Sequence, residues 1–190
     1  MKNNNLYGLV LAGGFSKRMG VDKGTLDYHG LPQRDHVSNL LKPFCEKVFL
    51  SLRKAQAFKI KHNKYNILVD QFGSTSPIAG ILTAHLSNPS ATWFVMACDL
   101  PKVGQKELQY LFKNRNKAAL ATVFSNPVDE LPEPMLGIWE AHGLVKLLDF
   151  YKNGNQSPRQ FLKNNNVEIL ESPTNALLFN VNTPEEKDKL

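Results

Sequence analysis

The segment Leu6-Tyr-Gly-Leu-Val-Leu11 runs straight into Ala12-Gly13-Gly14-Phe-Ser-Lys17-Arg18-Met-Gly-Val-Asp-Lys23, and this junction constrains the fold more than any other stretch. A short apolar strand that meets two adjacent glycines is a sharp strand-to-loop turn. Gly13 and Gly14 lack a Cβ, so successive backbone N–H groups can approach an anion closely. Lys17, Arg18 and Lys23 bring three cations into the same loop. The combination suits a polyphosphate held at the carboxyl end of a central strand. The plainer alternative is a glycine turn with solvated lysines; the density of cations directly after the first strand favours phosphate. Neither familiar phosphate loop is present, since no stretch reads Gly-x4-Gly-Lys-Ser/Thr and the paired glycines break Gly-x-Gly-x-x-Gly.

Further apolar runs of strand length follow at Lys47–Leu52, Asn66–Val69, Thr92–Ala97, Ala118–Phe124 and Val167–Leu170. Helical spacing appears between them at Asp35–Phe44, Ile78–Leu86, Gln105–Lys113 and Ala141–Phe150. This alternation predicts an α/β fold, a mostly parallel sheet covered by helices on both faces. No repeat or linker divides the 190 residues, so one domain over 1–190 is expected. Ser125 to Trp139 carries Pro127, Pro132 and Pro134 and reads as a loop entering an edge strand, long enough to cover a substrate site.

Composition narrows the partners. A net charge of +6 favours polyanions, but the most basic short stretch, Lys59-Ile-Lys-His-Asn-Lys64, has no aromatic stacking pattern, so no nucleic-acid partner is expected. Cys45 and Cys98 stand far apart and the five histidines are scattered, which argues against a zinc site. No secretory signal precedes the first strand and no apolar run approaches membrane-spanning length; a cytoplasmic protein with no membrane partner is expected.

Two carboxylates follow apolar strands. In Phe94-Val-Met-Ala-Cys-Asp99-Leu-Pro101, Asp99 stands where ligands bind in an open parallel sheet, placed to hold Mg2+ or, alternatively, to cap a turn. Asp70 follows Ile67-Leu-Val69 and reads on its own as an Asx turn. Near the end, Phe179-Asn-Val-Asn182-Thr-Pro-Glu-Glu186 looks like a strand and a capped helix, with Thr183 as N-cap and Glu186 closing a capping box. That account leaves Asn180 and Asn182 unexplained, as side chains facing the site.

These motifs carry a family resemblance. Leu11-Ala-Gly-Gly-x-Ser-x-Arg-Met-Gly-x-Asp-Lys23 resembles the signature loop of the molybdenum cofactor guanylyltransferases, Pro77-Ile-Ala-Gly80 their Pro-Leu-Ala-Gly helix start, and Cys98-Asp-Leu-Pro101 their Cys-Asp-x-Pro metal motif. Pro132-Glu-Pro134 and Asn180-Val-Asn-Thr-Pro184 recur in the expected order, so the likeness spans nearly the whole chain. Ser76 stands where the family usually has Gly, and Leu52-Arg53 where it often has Asn-Arg. The related cytidylyltransferases read Leu-Ala-Ala-Gly in the first loop, so Gly13-Gly14 points to guanine.

The resemblance implies a Rossmann-like, three-layer α/β/α nucleotidyltransferase fold and transfer of GMP from GTP to the terminal phosphate of molybdenum-bound molybdopterin. It implies nucleotide contacts from Leu11, Ala12, Gly13, Gly14, Lys23, Asp70 and Asp99, charge neutralisation by Arg18 and Lys23, Mg2+ on Asp99, and acceptor contacts from Asn180 and Asn182. GTP and molybdenum-molybdopterin are the expected partners, with transient contacts to molybdoenzymes or cofactor-handling proteins, in a monomer or weak oligomer. A transferase acting on another phosphorylated acceptor, of cytidylyl or sugar-phosphate type, and a non-catalytic nucleotide-binding module are the alternatives.

Overall fold

The computed structural model describes residues 5–13, 15–16, 21–60, 64–72 and 76–178. In chain order the elements are β1 (Leu6–Leu11), β2 (Phe15–Ser16), β3 (Val21–Asp22), α1 (Gln33–Leu41), β4 (Val48–Leu52), α2 (Lys54–Ala57), β5 (Asn66–Val69), α3 (Ile78–Ser87), β6 (Thr92–Ala97), α4 (Gln105–Lys113), β7 (Ala121–Ser125), β8 (Pro132–Trp139), α5 (Ala141–Lys152), α6 (Pro158–Lys163) and β9 (Glu168–Leu170). Seven strands form one sheet in the order β5-β4-β1-β6-β8-β7-β9, and β2 and β3 form a separate antiparallel pair. The pairs β4–β5, β1–β4, β1–β6 and β7–β9 are parallel, and β8 runs antiparallel to both neighbours. The expected mostly parallel α/β sheet is therefore present.

Covering both faces of a parallel sheet demands strands that are apolar throughout. β6, Thr-Trp-Phe-Val-Met-Ala, is buried at all six positions. Leu6, Val10, Phe94 and Met96 pack on one face with Val37 and Leu41 of α1 and Leu108 and Leu111 of α4. Leu9, Trp93 and Val95 pack on the other with Ile78 and Ile81 of α3, Leu144 and Leu147 of α5, and Phe161 of α6. No helix among the described residues is long and apolar enough to cross a membrane.

Some expected boundaries shift for local reasons. α1 begins at Gln33 because Pro32 precedes it with φ −53°, and it ends at Leu41, shortly before Pro43. β7 begins at Ala121 rather than Ala118, because Asn116 Oδ1 accepts the Ala118 amide at 3.0 Å and folds that stretch into a turn.

The proline-rich segment is the main correction. β8 is an interior strand between β6 and β7, not an edge strand. Its pairing with β6 extends only from Trp139 to Leu136, and the residues before that are flanked by β7 alone. Pro132 and Pro134 lie in this one-sided part, where the β7 register also shifts between Val123 and Ser125, so their missing N–H groups interrupt no regular ladder. The preceding loop closes on itself, with Asn126 N–H donating to Leu131 O at 2.7 Å and Glu130 N–H to Asn126 O at 2.8 Å. It is a tight turn rather than a cover.

At the opposite end of the sheet from the strand-end glycines, Arg115 forms a paired contact with Glu140 at 2.6 and 2.7 Å, and both bond the Thr92 hydroxyl. Their side chains are 10% and 6% exposed. Truncating one partner strands a buried charge. Arg115→Ala is expected to destabilise the fold by about 3–5 kcal/mol in a denaturant titration. A loss under about 1 kcal/mol would place the pair in the class of solvated surface bridges.

Candidate functional site

β5, β4, β1 and β6 are mutually parallel, so their carboxyl ends share one edge. The residues that follow them there are Ala12-Gly13, Arg53, Asp70 and Cys98-Asp99, and these line one cleft together with Lys23 and the start of α3. From β1 the chain crosses to β4 through α1, whereas β6 lies on the other side of β1 and is reached through α3. Connections that diverge in this way leave an open crevice at the strand ends, the usual ligand position in such sheets.

The glycine loop is anchored before it reaches the cleft. Ala12 N–H donates to Ser51 O at 3.1 Å, and the Gln56 amide donates to Ala12 O at 3.1 Å. Gln56 also accepts the Arg53 N–H at 3.1 Å, so α2 clamps the loop to the end of β4. Farther on, Asp22 Oδ1 accepts the Gly24 N–H at 2.9 Å and caps a 3-10 turn over Lys23–Thr25. Lys23 extends from this turn to Asp99, with Nζ 3.4 Å from Oδ2 and side chains 14% and 16% exposed. The sequence-adjacent carboxylate is thus engaged as a cap, and Lys23 meets the distant one. His29 Nε2 donates to Pro101 O at 2.9 Å and ties the same segment to the Asp99 turn a second time.

Asp99 Oδ1 is buried and has no hydrogen-bond partner among the described residues. An oriented anionic oxygen left open beside a cation is the arrangement a bound cation or donor would complete. Cys98 does not compete for that role: burial first, with Asp99 and Asp22 adding to it, raises its thiol well above the ordinary range and keeps it protonated.

Asp70 stands on the other side of the crevice. Its N–H donates to Leu52 O at 2.9 Å, and its Oδ1 accepts the Ser51 hydroxyl at 2.7 Å. It is no isolated Asx turn: a Cβ placed on Gly13 would lie 3.4 Å from Asp70 Oδ2, so the glycine loop passes directly against the carboxylate. Burial raises the Asp70 carboxyl above its usual value, while the Ser51 hydroxyl and the Arg53 guanidinium pull it back.

Of the residues singled out in the sequence, Leu11, Ala12, Gly13, Lys23, Asp70 and Asp99 come together in this cleft. Gly14, Lys17, Arg18, Asn180 and Asn182 lie outside the described residues, as does the strand and capped helix expected around them. Ser51, Arg53, Ser76 and Met135 line the cleft without having been singled out as contacts. Ser51 carries a signal in retrospect, as the lone polar residue of an otherwise apolar strand, Val-Phe-Leu-Ser-Leu. Met135 carries none. It is β8 of the proline-rich segment, and not its loop, that reaches the cleft.

The MobA-like NTP transferase domain model matches residues 8–169. A molybdenum cofactor biosynthesis bifunctional protein of Synechocystis sp. is 33% identical over 181 residues, 95% of this chain and 52% of its own, so the chain spans about half of that relative. A probable molybdenum cofactor guanylyltransferase of Nostoc sp. is 30% identical over 190 residues, covering 96% of this chain and 89% of that protein. Among solved structures, molybdopterin-guanine dinucleotide biosynthesis protein A of Archaeoglobus fulgidus matches with a TM-score of 0.79 and 24% identity over 96% of this chain and 95% of that one. A nucleotidyl transferase of Methanothermobacter matches with a TM-score of 0.77 at 14% identity. The expected nucleotidyltransferase fold is the fold observed.

Gly80 sets the width of the cleft. A Cβ there would collide with Ser51 Oγ and lie 2.8 Å from Leu11 Cδ2, so α3 approaches β4 and β1 only because the position is glycine. Gly80→Ala is expected to cost about 1–3 kcal/mol of stability by overpacking. Nucleotide affinity should fall with it, because Ser51 and Leu11 both line the cleft. A variant with unchanged unfolding midpoint and unchanged nucleotide binding would show that α3 shifts freely.

Proposed function

This chain belongs to the MobA-like NTP transferase family, and on that premise we propose that it transfers GMP from GTP to the terminal phosphate of molybdenum-bound molybdopterin, releasing pyrophosphate. Residues 1–190 would act as one nucleotidyltransferase domain. The observation that carries the reading is the convergence of Gly13, Lys23, Asp70 and Asp99, from three separate stretches of sequence, on one strand-end crevice. The names of the relatives at 33% and 30% identity supply the choice of acceptor.

The chemistry suits these residues. An acceptor phosphate oxygen attacks the α-phosphorus of GTP, one P–O bond forms, and the bond to the bridging oxygen of the pyrophosphate breaks. A phosphate monoester is already anionic near neutral pH, so no strong general base is needed. The barrier lies in bringing two anions together in line, and fixed cations and backbone donors lower it. Gly13 lets the backbone approach the phosphates. Lys23 offsets the charge that grows on the leaving pyrophosphate, and Arg18 has the same part. Asp70 accepts the N1–H and exocyclic amine of guanine as a pair, which neither adenine nor cytosine can offer. Asn180 and Asn182 are assigned to the acceptor.

Asp99 fits Mg2+. Its open oxygen is a hard donor, and among the described residues no group of three or more His, Cys, Asp or Glu side chains offers a full protein cage. Such a site suits a cation held by one carboxylate and by substrate phosphates. When bound, Mg2+ would neutralise phosphate charge beside the transferred group.

Pyrophosphate release from each nucleoside triphosphate, with and without molybdenum-loaded molybdopterin and with Mg2+ or EDTA, tests the reaction. Release that needs GTP, the acceptor and Mg2+ together is expected; release indifferent to the acceptor would overturn the assignment. Asp99→Asn should lose at least about a hundredfold in turnover, with GTP binding reduced less. Near-wild-type turnover would remove Asp99 from the metal. Lys23→Ala should lower kcat as well as affinity, because its charge is used most as the leaving group develops. An unchanged kcat/KM would reduce Lys23 to a partner for Asp99.

A further inference from the structure

Ser51 is buried in β4, 2% exposed, among strand neighbours that are all apolar. A hydroxyl in such a place needs a partner, and its partner is the Asp70 carboxylate at 2.7 Å. The absence of a Cβ at Gly80 leaves room for this contact. The backbone around Asp70 is fixed from both sides: its own N–H is bound to Leu52 O, and the next amide, Gln71 N–H, donates to the buried Thr83 hydroxyl of α3 at 3.0 Å. What these backbone bonds leave to settle is the side-chain rotation of Asp70, whose last torsion is broad for aspartate.

We propose that Ser51 is a positioning residue of the nucleotide site, whose hydroxyl sets the plane of the Asp70 carboxylate so that it accepts paired N–H donors from a guanine base. The inference rests on the reading of Asp70 as the base contact. Two adjacent donors on one base edge need both carboxylate oxygens in one plane and both without a proton. A carboxylate free to rotate meets that demand only part of the time. Burial works against ionisation here, and a donated hydroxyl hydrogen bond works for it. Arg53, at the end of β4, acts in the same direction. The other charged groups lining the cleft among the described residues are Lys23 and Asp99, and the α3 start presents Ser76, Pro77 and Gly80, none of them charged.

The test is the pH dependence of GTP and ATP dissociation constants for the full chain, measured for wild type, Ser51→Ala and Asp70→Asn between about pH 5 and 8. ATP shares the triphosphate titration and so isolates the base. Ser51→Ala is expected to weaken GTP about three- to tenfold near neutral pH, with ATP changed less than about twofold. Its loss of GTP affinity on acidification should begin at higher pH than in wild type, because an Asp70 without its donor protonates sooner. Asp70→Asn should lose the preference for GTP and its acid limb together. Carbon-13 NMR of the Asp70 carboxyl in nucleotide-free protein should show the same upward displacement in Ser51→Ala. If Ser51→Ala weakens both nucleotides equally and leaves the carboxyl titration in place while Asp70→Asn still loses the preference, Ser51 only packs the strand and this proposal falls alone. If Asp70→Asn keeps the wild-type preference, the base-contact reading falls and this proposal with it.

Discussion

Between β1 and β6 the two crossovers of the chain part company, α1 closing one face of the sheet and α3 the other. The crevice left at their carboxyl ends is the constraint on which the site depends. Four parallel strands end at one level there, so whatever follows each of them meets at short range, although Gly13 and Asp99 are far apart in sequence. The antiparallel β8 completes the arrangement from the other direction, since its first residues arrive at the same edge and bring Met135 into the cleft. Its one-sided start also explains why a strand inside the sheet can carry two prolines.

The electrostatics follow from this convergence. Lys23 and Asp99 are each mostly shielded from water and 3.4 Å apart, so each offsets the cost of burying the other. The pair is incomplete in a useful way, because Asp99 Oδ1 is left with no donor among the described residues. Across the crevice Asp70 is shared among a hydroxyl, a guanidinium and a glycine backbone, and it leans toward protonation only because it is buried. The two carboxylates are therefore unlike in their surroundings, which matches the unlike duties proposed for them at a base and at a phosphate.

Much of this was legible in the sequence. β1, β5, β6 and α4 have the limits their apolar patterns predict, because short apolar strand runs and amphipathic helices write their environment into composition. The glycine loop and the Asp99 turn were readable because each follows an apolar strand directly, at the end where an open parallel sheet binds ligands. β8 was not readable as interior, because proline signals a missing donor and says nothing about which side of the strand lacks a neighbour. α2 and α6 are too short to show a period. Ser51 and Arg53 were missed as contacts because what matters for them is the chain packed against them, Asp70 and Gly13, and even a lone polar residue in an apolar strand does not say which distant residue it meets.

Ser76, at the mouth of the cleft, donates its hydroxyl to the carbonyl oxygen of Gln156, in the turn before α6. The acceptor is main chain, so the contact imposes a side-chain requirement on one end only. The turn before α6 is thereby tethered to the start of α3, an element far from it in sequence. Ser76 thus straps the start of α3 to the turn before α6 across the mouth of the cleft, and a glycine at that position would remove the strap.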